Sequence, residues 1–254
     1  MNIRINSKPA PHAQTTRWAV EEFIKARDLT LAVGVDLRVG VPIAAGFGSS
    51  AAGTLATCRA LADAANLPTT LNELGRLTHV AEVVNHTGLG TASALLTGGF
   101  NLVVEPGAPG IGLVDKLFFP KDHSIICAYL GPTPTREALA KLGNASQVNE
   151  PARQALEAIR RTPDLTTFLR EARSFGAKSG FESPKVSRII SLMMSTGAIG
   201  AAQNMIGEAV HAVAADSKVM RVVAAVRGEF PAAKVFATRL DDRGVRLVKK
   251  GTKH

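Results

Sequence analysis

The first chemically suggestive segment of the chain runs from Gly46 to Ala52, Gly-Phe-Gly-Ser-Ser-Ala-Ala, and we call it the glycine-serine run. Glycine lets a backbone approach a ligand closely, and successive N–H groups at the start of a helix attract an anion. The hydroxyls of Ser49 and Ser50 can donate to phosphate oxygens or reach a magnesium ion. A glycine-rich turn that only packs a strand against a helix has the same composition. We interpret the run as a phosphate site.

The same segment also matches one form of the dinucleotide-binding fingerprint, G-x-G-x-x-A, from Gly46 to Ala51. In that fold a buried strand precedes the glycines, and an acidic residue follows about 20 residues later. Here apolar residues occupy every second position from Leu31 to Val41, which predicts a half-buried strand. The nearest acid, Asp63, lies within the next predicted helix. This context disfavours a dinucleotide site.

Hydrophobic periodicity and chain breakers predict the elements that must position the run. In the first half we expect strands over 31–41 and 100–104, helices over 15–27, 54–65 and 71–85, the first of them capped by Thr15 or Thr16, and a short helical or irregular piece over 91–96. In the second half we expect a strand over 124–130, a final hairpin of 233–238 with 244–248, and helices over 151–161, 165–175, 186–194 and 200–215. The mixture predicts the α+β class, with two closely packed halves over 1–120 and 121–254.

Composition and charge limit the partners of the chain. Its 254 residues carry 30 Lys and Arg against 21 Asp and Glu, a formal net charge of +9, which favours anionic partners. Readers of single-stranded nucleic acid interleave basic residues with stacking aromatic side chains, but here one Trp and one Tyr accompany ten Phe that mostly lie in apolar runs. We therefore do not expect nucleic acid as a partner. No apolar run approaches the roughly 18 residues of a membrane span, and the segment after Met1 lacks the apolar core of a signal peptide. We expect a cytoplasmic protein without a membrane partner, whose Cys58 and Cys127 are buried and reduced.

Five segments of the chain carry a family resemblance. They are Pro42 to Ala52, His79 to Gly90, Thr97 to Phe100, Gly131 to Arg136, and Gly197 to Ala209. The first resembles the second signature, and the last the third signature, of the GHMP kinases, the superfamily of galactokinase and of homoserine, mevalonate and phosphomevalonate kinases. Within it, the segments are most similar to the archaeal pantoate kinases, which phosphorylate pantoate with ATP on the route to coenzyme A.

The resemblance implies a GHMP kinase-like two-domain fold, in which an N-terminal nucleotide-binding half resembles domain 2 of ribosomal protein S5 and the C-terminal half is ferredoxin-like. It implies ATP and Mg²⁺ as cofactors and pantoate as the small-molecule substrate. By the same resemblance, Ser50 and Glu82 are the catalytic residues and magnesium ligands, and Arg136 binds the carboxylate of pantoate. The residues implied at the ATP phosphates are Gly46, Gly48, Ser49, Ser50, Ala51, Gly200 and Asn204.

Two helical positions have further interpretations that the sequence leaves open. Glu82 can be a solvated surface carboxylate. It can also join His79 and His86, on the same predicted helix face, in a transition-metal site, although the H-E-x-x-H spacing of zinc enzymes is absent. His211 lies two turns after Asn204 on a predicted helix, and we interpret it as structural.

The chain departs from the family pattern at two places. Where pantoate kinases carry an aspartate directly after the Gly-Leu-Gly turn, this chain has Thr91, which cannot accept a proton at neutral pH. Because phosphoryl transfer depends more on positioning than on proton abstraction, we expect slower turnover rather than none. The segment from Met1 to Asn6 aligns with a strand that follows the first signature, Pro-Gly-x-x-x-x-x-Gly, in the family, so we do not find that signature in the chain. We therefore expect either a homodimer that covers an exposed sheet edge or a start codon further upstream.

These observations favour an ATP-dependent, Mg²⁺-requiring kinase that transfers the γ-phosphoryl group to the primary hydroxyl of pantoate. The two departures favour a second hypothesis, a catalytically impaired relative that binds nucleotide or a coenzyme A intermediate as a regulator or partner subunit. A nucleic-acid-binding function rests only on the positive charge, and we do not adopt it.

Overall fold

A computed structural model of the chain describes residues 1–88, 90–133, 145–205 and 207–248. These residues fold into two compact units. The first contains 1–41, 48–115 and the described residues after 240, and the second contains 42–47 and 116–240. The functional halves expected over 1–120 and 121–254 stay a prediction. Within the described ranges, none of the helices is long and apolar enough to span a membrane.

The first unit combines helices with a small sheet. The strands of this sheet are β1 (Asn2–Ile5), β2 (Lys8–Pro9) and β3 (Gly34–Leu37), and β1 lies antiparallel to β2 and parallel to β3. The helices are α1 (Gln14–Lys25), α2 (Ser49–Ala64), α3 (Leu71–Val84) and α4 (Thr91–Thr97). A separate pair of strands is formed by β4 (Phe100–Glu105) and β5 (Leu113–Leu117).

The helices of the first unit pack around a core that their apolar spacing predicts. Phe23 of α1, Leu55 of α2 and Leu74 of α3 are at most 1% exposed and belong to one cluster. The helices predicted around these residues are confirmed, although α2 begins earlier than expected. The strand predicted over 31–41 is confirmed only at Gly34–Leu37, because the short strand β1 pairs with these residues alone.

The predicted cap of α1 is wrong. Ala13 holds the N-cap position without a side-chain hydrogen bond, whereas Thr15 and Thr16 lie inside the helix and are buried. Thr15 Oγ1 lies 3.0 Å from Thr87 Oγ1, and Thr16 Oγ1 lies 3.0 Å from Thr54 Oγ1. Buried hydroxyls need such partners, so these threonines tie α1 to its neighbours instead of capping it.

The second unit combines an antiparallel sheet with helices. The strands are β6 (His123–Gly131), β7 (Gly200–Gln203), β8 (Glu208–Ala215) and β9 (Lys234–Thr238), in the order β7-β8-β6-β9. The helices are α5 (Ala145–Arg161), α6 (Leu165–Lys178), α7 (Pro184–Thr196) and α8 (Asp216–Glu229). Ile190 of α7 and Val222 of α8 share one core cluster with Ile126 and Val210 of the sheet. The α+β class is confirmed.

Two predictions for the second unit are wrong. Residues 200–215 form the hairpin of β7 and β8 instead of a helix, and β9 pairs with β6 instead of with 244–248. The hairpin is rich in alanine, which favours a helix in isolation. β8, however, lies between β7 and β6 and hydrogen-bonds to both. Tertiary pairing therefore overrides the local preference.

The helix α8, in contrast, has no counterpart in the sequence prediction. Cys58 and Cys127 are both free and buried, as predicted.

Gly200 tests how tightly β7 and α6 pack. It is buried, and a Cβ on it would lie 2.7 Å from Cδ1 of Leu169. We expect Gly200→Ala to lower the free energy of unfolding, measured in urea, by about 1–3 kcal/mol, the usual cost of overpacking. Gly228→Ala in α8 is the matched control, because nothing lies within 4 Å of its Cβ position and alanine is the better helix former. A Gly200→Ala variant as stable as the wild type would contradict this packing.

Candidate functional site

The glycine-serine run enters the first unit at Gly48, which is the N-cap of α2. Gly48 has a φ of 65°, and a Cβ on it would lie 2.5 Å from Cγ2 of Thr91. Both observations require glycine at this position. Ser49 and Ser50 begin the helix, and no side chain among the described residues caps it. Its first N–H groups are therefore available to an anion.

Glu82 of α3 contacts the start of α2. Its side chain is 2% exposed, and its carboxylate accepts hydrogen bonds from the hydroxyls of Ser50 and Thr87. The Thr87 hydroxyl is paired in turn with Thr15 of α1 at 3.0 Å. Gly88 lies on another side, because a Cβ there would be 2.5 Å from Oε2 of Glu82. The alternative of a solvated surface carboxylate is wrong.

Burial raises the pKa of Glu82 to about 7, and the hydrogen bonds from Ser50 and Thr87 oppose this shift only in part. In the described part of the chain, no basic side chain forms an ion pair with this carboxylate. A carboxylate buried without a counter-charge is costly to ionise. A divalent cation would supply that charge, and a carboxylate with a serine hydroxyl is a donor set that Mg²⁺ accepts. The two residues therefore fit the proposed cofactor.

A transition-metal site with His79 and His86 finds no support in the structure. The described residues contain no group of three or more His, Cys, Asp and Glu side chains that could hold a metal ion. A Mg²⁺ ion does not need such a group, because it takes one or two protein ligands and completes its coordination with phosphate and water.

The residues before Gly48 are anchored on the second unit. The carbonyl oxygen of Ala44 accepts a hydrogen bond of 2.8 Å from the N–H of Thr133, which follows β6. The ring centroid of Phe47 lies 5.9 Å from that of Phe236 in β9. The segment from Ala44 to Phe47 is thus held by Thr133, just after β6, and by Phe236 of β9.

The connection between β7 and β8 packs directly on the same segment. Gly46, with a φ of 76°, touches the carbonyl oxygen of Asn204 so closely that a Cβ would collide with it. Gly207 approaches Ala45 in the same way, since a Cβ there would lie 2.5 Å from the carbonyl carbon of Ala45. The N–H of Gly207 also donates to the carbonyl of Asn204 at 2.9 Å. Two backbone segments therefore meet through glycines, which fixes how the chain enters the run.

The side chain of Asn204 is held by His211. Asn204 is 7% exposed, and its Oδ1 lies 2.8 Å from Nδ1 of His211. Burial lowers the pKa of His211 to about 4, so the neutral ring donates from Nδ1 to the amide oxygen. The prediction that the two residues lie two turns apart on one helix is wrong, because Asn204 follows β7 and His211 lies within β8.

The first unit contains five of the site residues predicted from the sequence. Gly48, Ser49, Ser50 and Ala51 form the start of α2, and Ser50 contacts Glu82. The side chain of Ala51 is buried, so only its backbone N–H can meet a ligand. Their phosphate and metal roles stay predictions.

The second unit contains the other described candidates. Gly46 and Asn204 are in contact, whereas Gly200 lies inside β7 and packs on Leu169. The phosphate roles of these three residues stay predictions. Arg136, the residue predicted to bind the carboxylate of the substrate, lies outside the described residues.

Sequence analysis missed two residues at these places. Thr87 donates to Glu82, and it lies in the segment from His79 to Gly90 that carries the family resemblance, so that segment held the signal. The contact of His211 with Asn204 was hidden by the wrong assignment of 200–215 as a helix.

Comparison with known families bears on the first unit. Residues 14–99 match the family described as GHMP kinases N terminal domain. This segment is therefore similar to a GHMP kinase N-terminal domain, and it includes the start of α2 together with Ser50 and Glu82. The resemblance found in the sequence is confirmed.

The similar proteins cover both units. Pantoate kinase from Thermococcus kodakarensis is 33% identical over 192 residues, which are 74% of this chain and 62% of the relative, so the chain spans less than two thirds of that relative's length. A solved structure of a phosphotransferase related to the coenzyme A biosynthesis pathway is 25% identical with a TM-score of 0.82, and the match covers 96% of this chain and 79% of that one. Homoserine kinase from Cytophaga hutchinsonii is 16% identical with a TM-score of 0.71, over 96% of this chain and 84% of that one. The GHMP kinase fold is confirmed.

Glu82 gives the first unit a pH-dependent stability. The ordinary pKa of a glutamate side chain is 4.5, whereas that of Glu82 in the folded chain is about 7. Between these values the folded state binds more protons than the unfolded state, so its stability falls as pH rises. Glu82→Gln removes this titration. We expect the stability of the variant, relative to wild type, to rise by roughly 3 kcal/mol between pH 4.5 and pH 8.

Urea denaturation at both pH values, with EDTA present, measures this difference. The other titrating groups are common to both proteins and cancel in the comparison. A variant whose relative stability is the same at both pH values would show that the carboxyl pKa is not raised by burial.

Proposed function

We propose that this chain is an ATP-dependent kinase that phosphorylates pantoate to 4-phosphopantoate in coenzyme A biosynthesis. The observation that carries the proposal is the buried contact of Ser50 with Glu82 beside the uncapped start of α2. The similarity to a pantoate kinase and to a phosphotransferase related to coenzyme A biosynthesis supports the choice of acceptor. The reaction belongs in the cytoplasm, where buried thiols such as those of this chain remain reduced.

In the proposed reaction, the N–H groups at the start of α2 and the hydroxyl of Ser49 donate to phosphate oxygens of ATP. Mg²⁺, when bound, neutralises negative charge on the phosphates. Ser50 and Glu82 would hold it, and Glu82 would then be fully ionised. The acceptor oxygen forms a bond to the γ-phosphorus while the bond to the bridging oxygen breaks, and ADP leaves with that oxygen. The proton of the acceptor hydroxyl passes to water.

Arg136 is the residue proposed to bind the carboxylate of pantoate, because a guanidinium can engage a carboxylate through two hydrogen bonds. With the carboxylate held, the primary hydroxyl at the other end of the molecule is the one presented for phosphorylation. No carboxylate follows the Gly-Leu-Gly segment, since Thr91 begins α4 there. Positioning and charge neutralisation, rather than proton abstraction, therefore provide the catalysis.

A second candidate function rests on the same position. A GHMP-fold relative that binds nucleotide or a coenzyme A intermediate, without turnover, would also tolerate Thr91 where pantoate kinases carry an acid. Such a protein would act as a regulator or a partner subunit. ATP binding without phosphorylation of any hydroxy acid distinguishes it from the kinase.

The kinase proposal is tested with the full chain, ATP, Mg²⁺ and pantoate, followed by ADP release and by ³¹P NMR of the product. We expect ADP formation that depends on pantoate and stops when EDTA is added. Ser50→Ala and Glu82→Gln should each lower kcat by about 100-fold or more, the usual effect of removing a group that stabilises transition-state charge. Ser49→Ala, next in the same helix turn, should lose less. Homoserine and mevalonate serve as control acceptors, and equal turnover with them would contradict the choice of pantoate.

Thr91→Asp tests whether the missing acid limits the rate. A positioned general base contributes about 100-fold or more, and an acid in the first turn of α4 is also favoured by the helix dipole. We expect Thr91→Asp to raise kcat by about 10-fold or more. Thr91→Asn, of equal size but without a base, should leave kcat near or below wild type. An aspartate variant no faster than the asparagine variant would show that the base is not limiting.

A further inference from the structure

His211 is a polar side chain at the centre of the second unit's sheet that the proposed reaction does not use. It pairs across the sheet with Ala202 of β7 and Cys127 of β6, and the small side chain of Ala202 leaves room for its ring. We propose that His211 is a positioning residue for ATP, which it affects through Asn204. The inference rests on the proposed function in that the anion is taken to be the phosphates of a nucleotide.

The backbone of Asn204 is coupled to the glycine-serine run. Its carbonyl oxygen touches Gly46 without room for a Cβ, and Gly207 touches Ala45 in the same manner. Because these contacts are between backbone atoms, Asn204 cannot shift without moving Gly46. Gly46 itself is exposed on its remaining side. Gly46 is thus supported by the β7–β8 connection on one side and exposed on the other.

The side chain of Asn204 has two ends with opposite electrostatic character. The hydrogen bond of 2.8 Å from His211 Nδ1 fixes the amide oxygen on the protein side. The amide nitrogen has no acceptor among the described residues, so its N–H groups remain donors for a phosphate oxygen. Without His211 the amide could rotate and turn its oxygen toward the phosphate, which would repel it. His211 therefore determines which end of Asn204 the anion meets.

Calorimetry of three variants, with a non-hydrolysable ATP analogue and Mg²⁺, tests the inference. His211→Phe keeps a flat ring without a donor, and we expect about 10-fold weaker binding, the usual effect of one hydrogen bond. His211→Asn places an amide nitrogen near the position of Nδ1, and we expect binding within about 3-fold of wild type. Asn204→Asp keeps the acceptor for His211 and removes the donor, and we expect binding at least about 10-fold weaker.

A merely structural histidine predicts a different pattern. His211→Asn would then bind as weakly as His211→Phe, or His211→Phe would bind as tightly as wild type, and either result overturns the inference. If His211→Phe fails to fold, the Asn204→Asp variant provides the test. Wild-type affinity of that variant for the ATP analogue would show that the amide of Asn204 does not donate to the phosphate. The KM for pantoate should stay within about 2-fold of wild type in the histidine variants, because one hydrogen bond at the phosphates changes ATP binding alone.

The readout separates this inference from the proposed function. If wild type binds the analogue but does not phosphorylate pantoate, the kinase assignment fails while the affinity pattern still tests His211. If pantoate is phosphorylated and His211→Phe binds the analogue as tightly as wild type, the kinase assignment stands and the role of His211 is rejected.

Discussion

A carboxylate buried without a counter-charge is the constraint around which the first unit is arranged. Glu82 is 2% exposed and is held by the hydroxyls of Ser50 and Thr87. Each hydroxyl has a single proton, so when Thr87 donates to Glu82, the paired Thr15 must donate to Thr87. This chain of hydrogen bonds connects α1, α2 and α3 through one acid. Each of these helices is therefore positioned partly by the carboxylate of Glu82, whose negative charge no basic side chain of the described residues neutralises.

The burial of Glu82 lowers the stability of the folded chain at high pH, although it provides a charged group for ligand binding. In the absence of a cation, burial favours the protonated acid, and ionising it costs free energy as pH rises. In the proposed function, binding of a cation with its nucleotide would reverse that cost, because the ionised carboxylate would then gain a partner. A serine or a glutamine in place of Glu82 would cost less free energy to bury, but neither would provide a charged ligand. The destabilised acid is thus an indication of a binding site rather than a fault of the core.

The sequence predicts the first unit better than the second, for a physical reason. Around the glycine-serine run the pattern is local, since a strand, a glycine turn and an amphipathic helix follow one another, and Gly48 at the N-cap of α2 lies where that order requires it. In the second unit, residues 200–215 are rich in alanine, and their conformation is determined by pairing with β6, which is far away in sequence. Local preference cannot report such a partner. The contact of Ser50 with Glu82 joins two helices, and only the family resemblance indicated it.

The fold leaves the acceptor of the proposed reaction undecided, because homoserine kinase has the same architecture at 16% identity. Phosphate groups are common to all such reactions, so residues that meet phosphates, such as those proposed at the start of α2, cannot select the acceptor. Selection must depend on groups that meet the rest of the acceptor. For a substrate with a carboxylate and a primary hydroxyl, that requires a cation at a fixed distance from the γ-phosphate. Arg136 is the residue that the family resemblance assigns to this role. In the proposed kinase, the choice of pantoate would therefore depend on that guanidinium, whereas the choice of a phosphate donor would depend on the glycine-serine run.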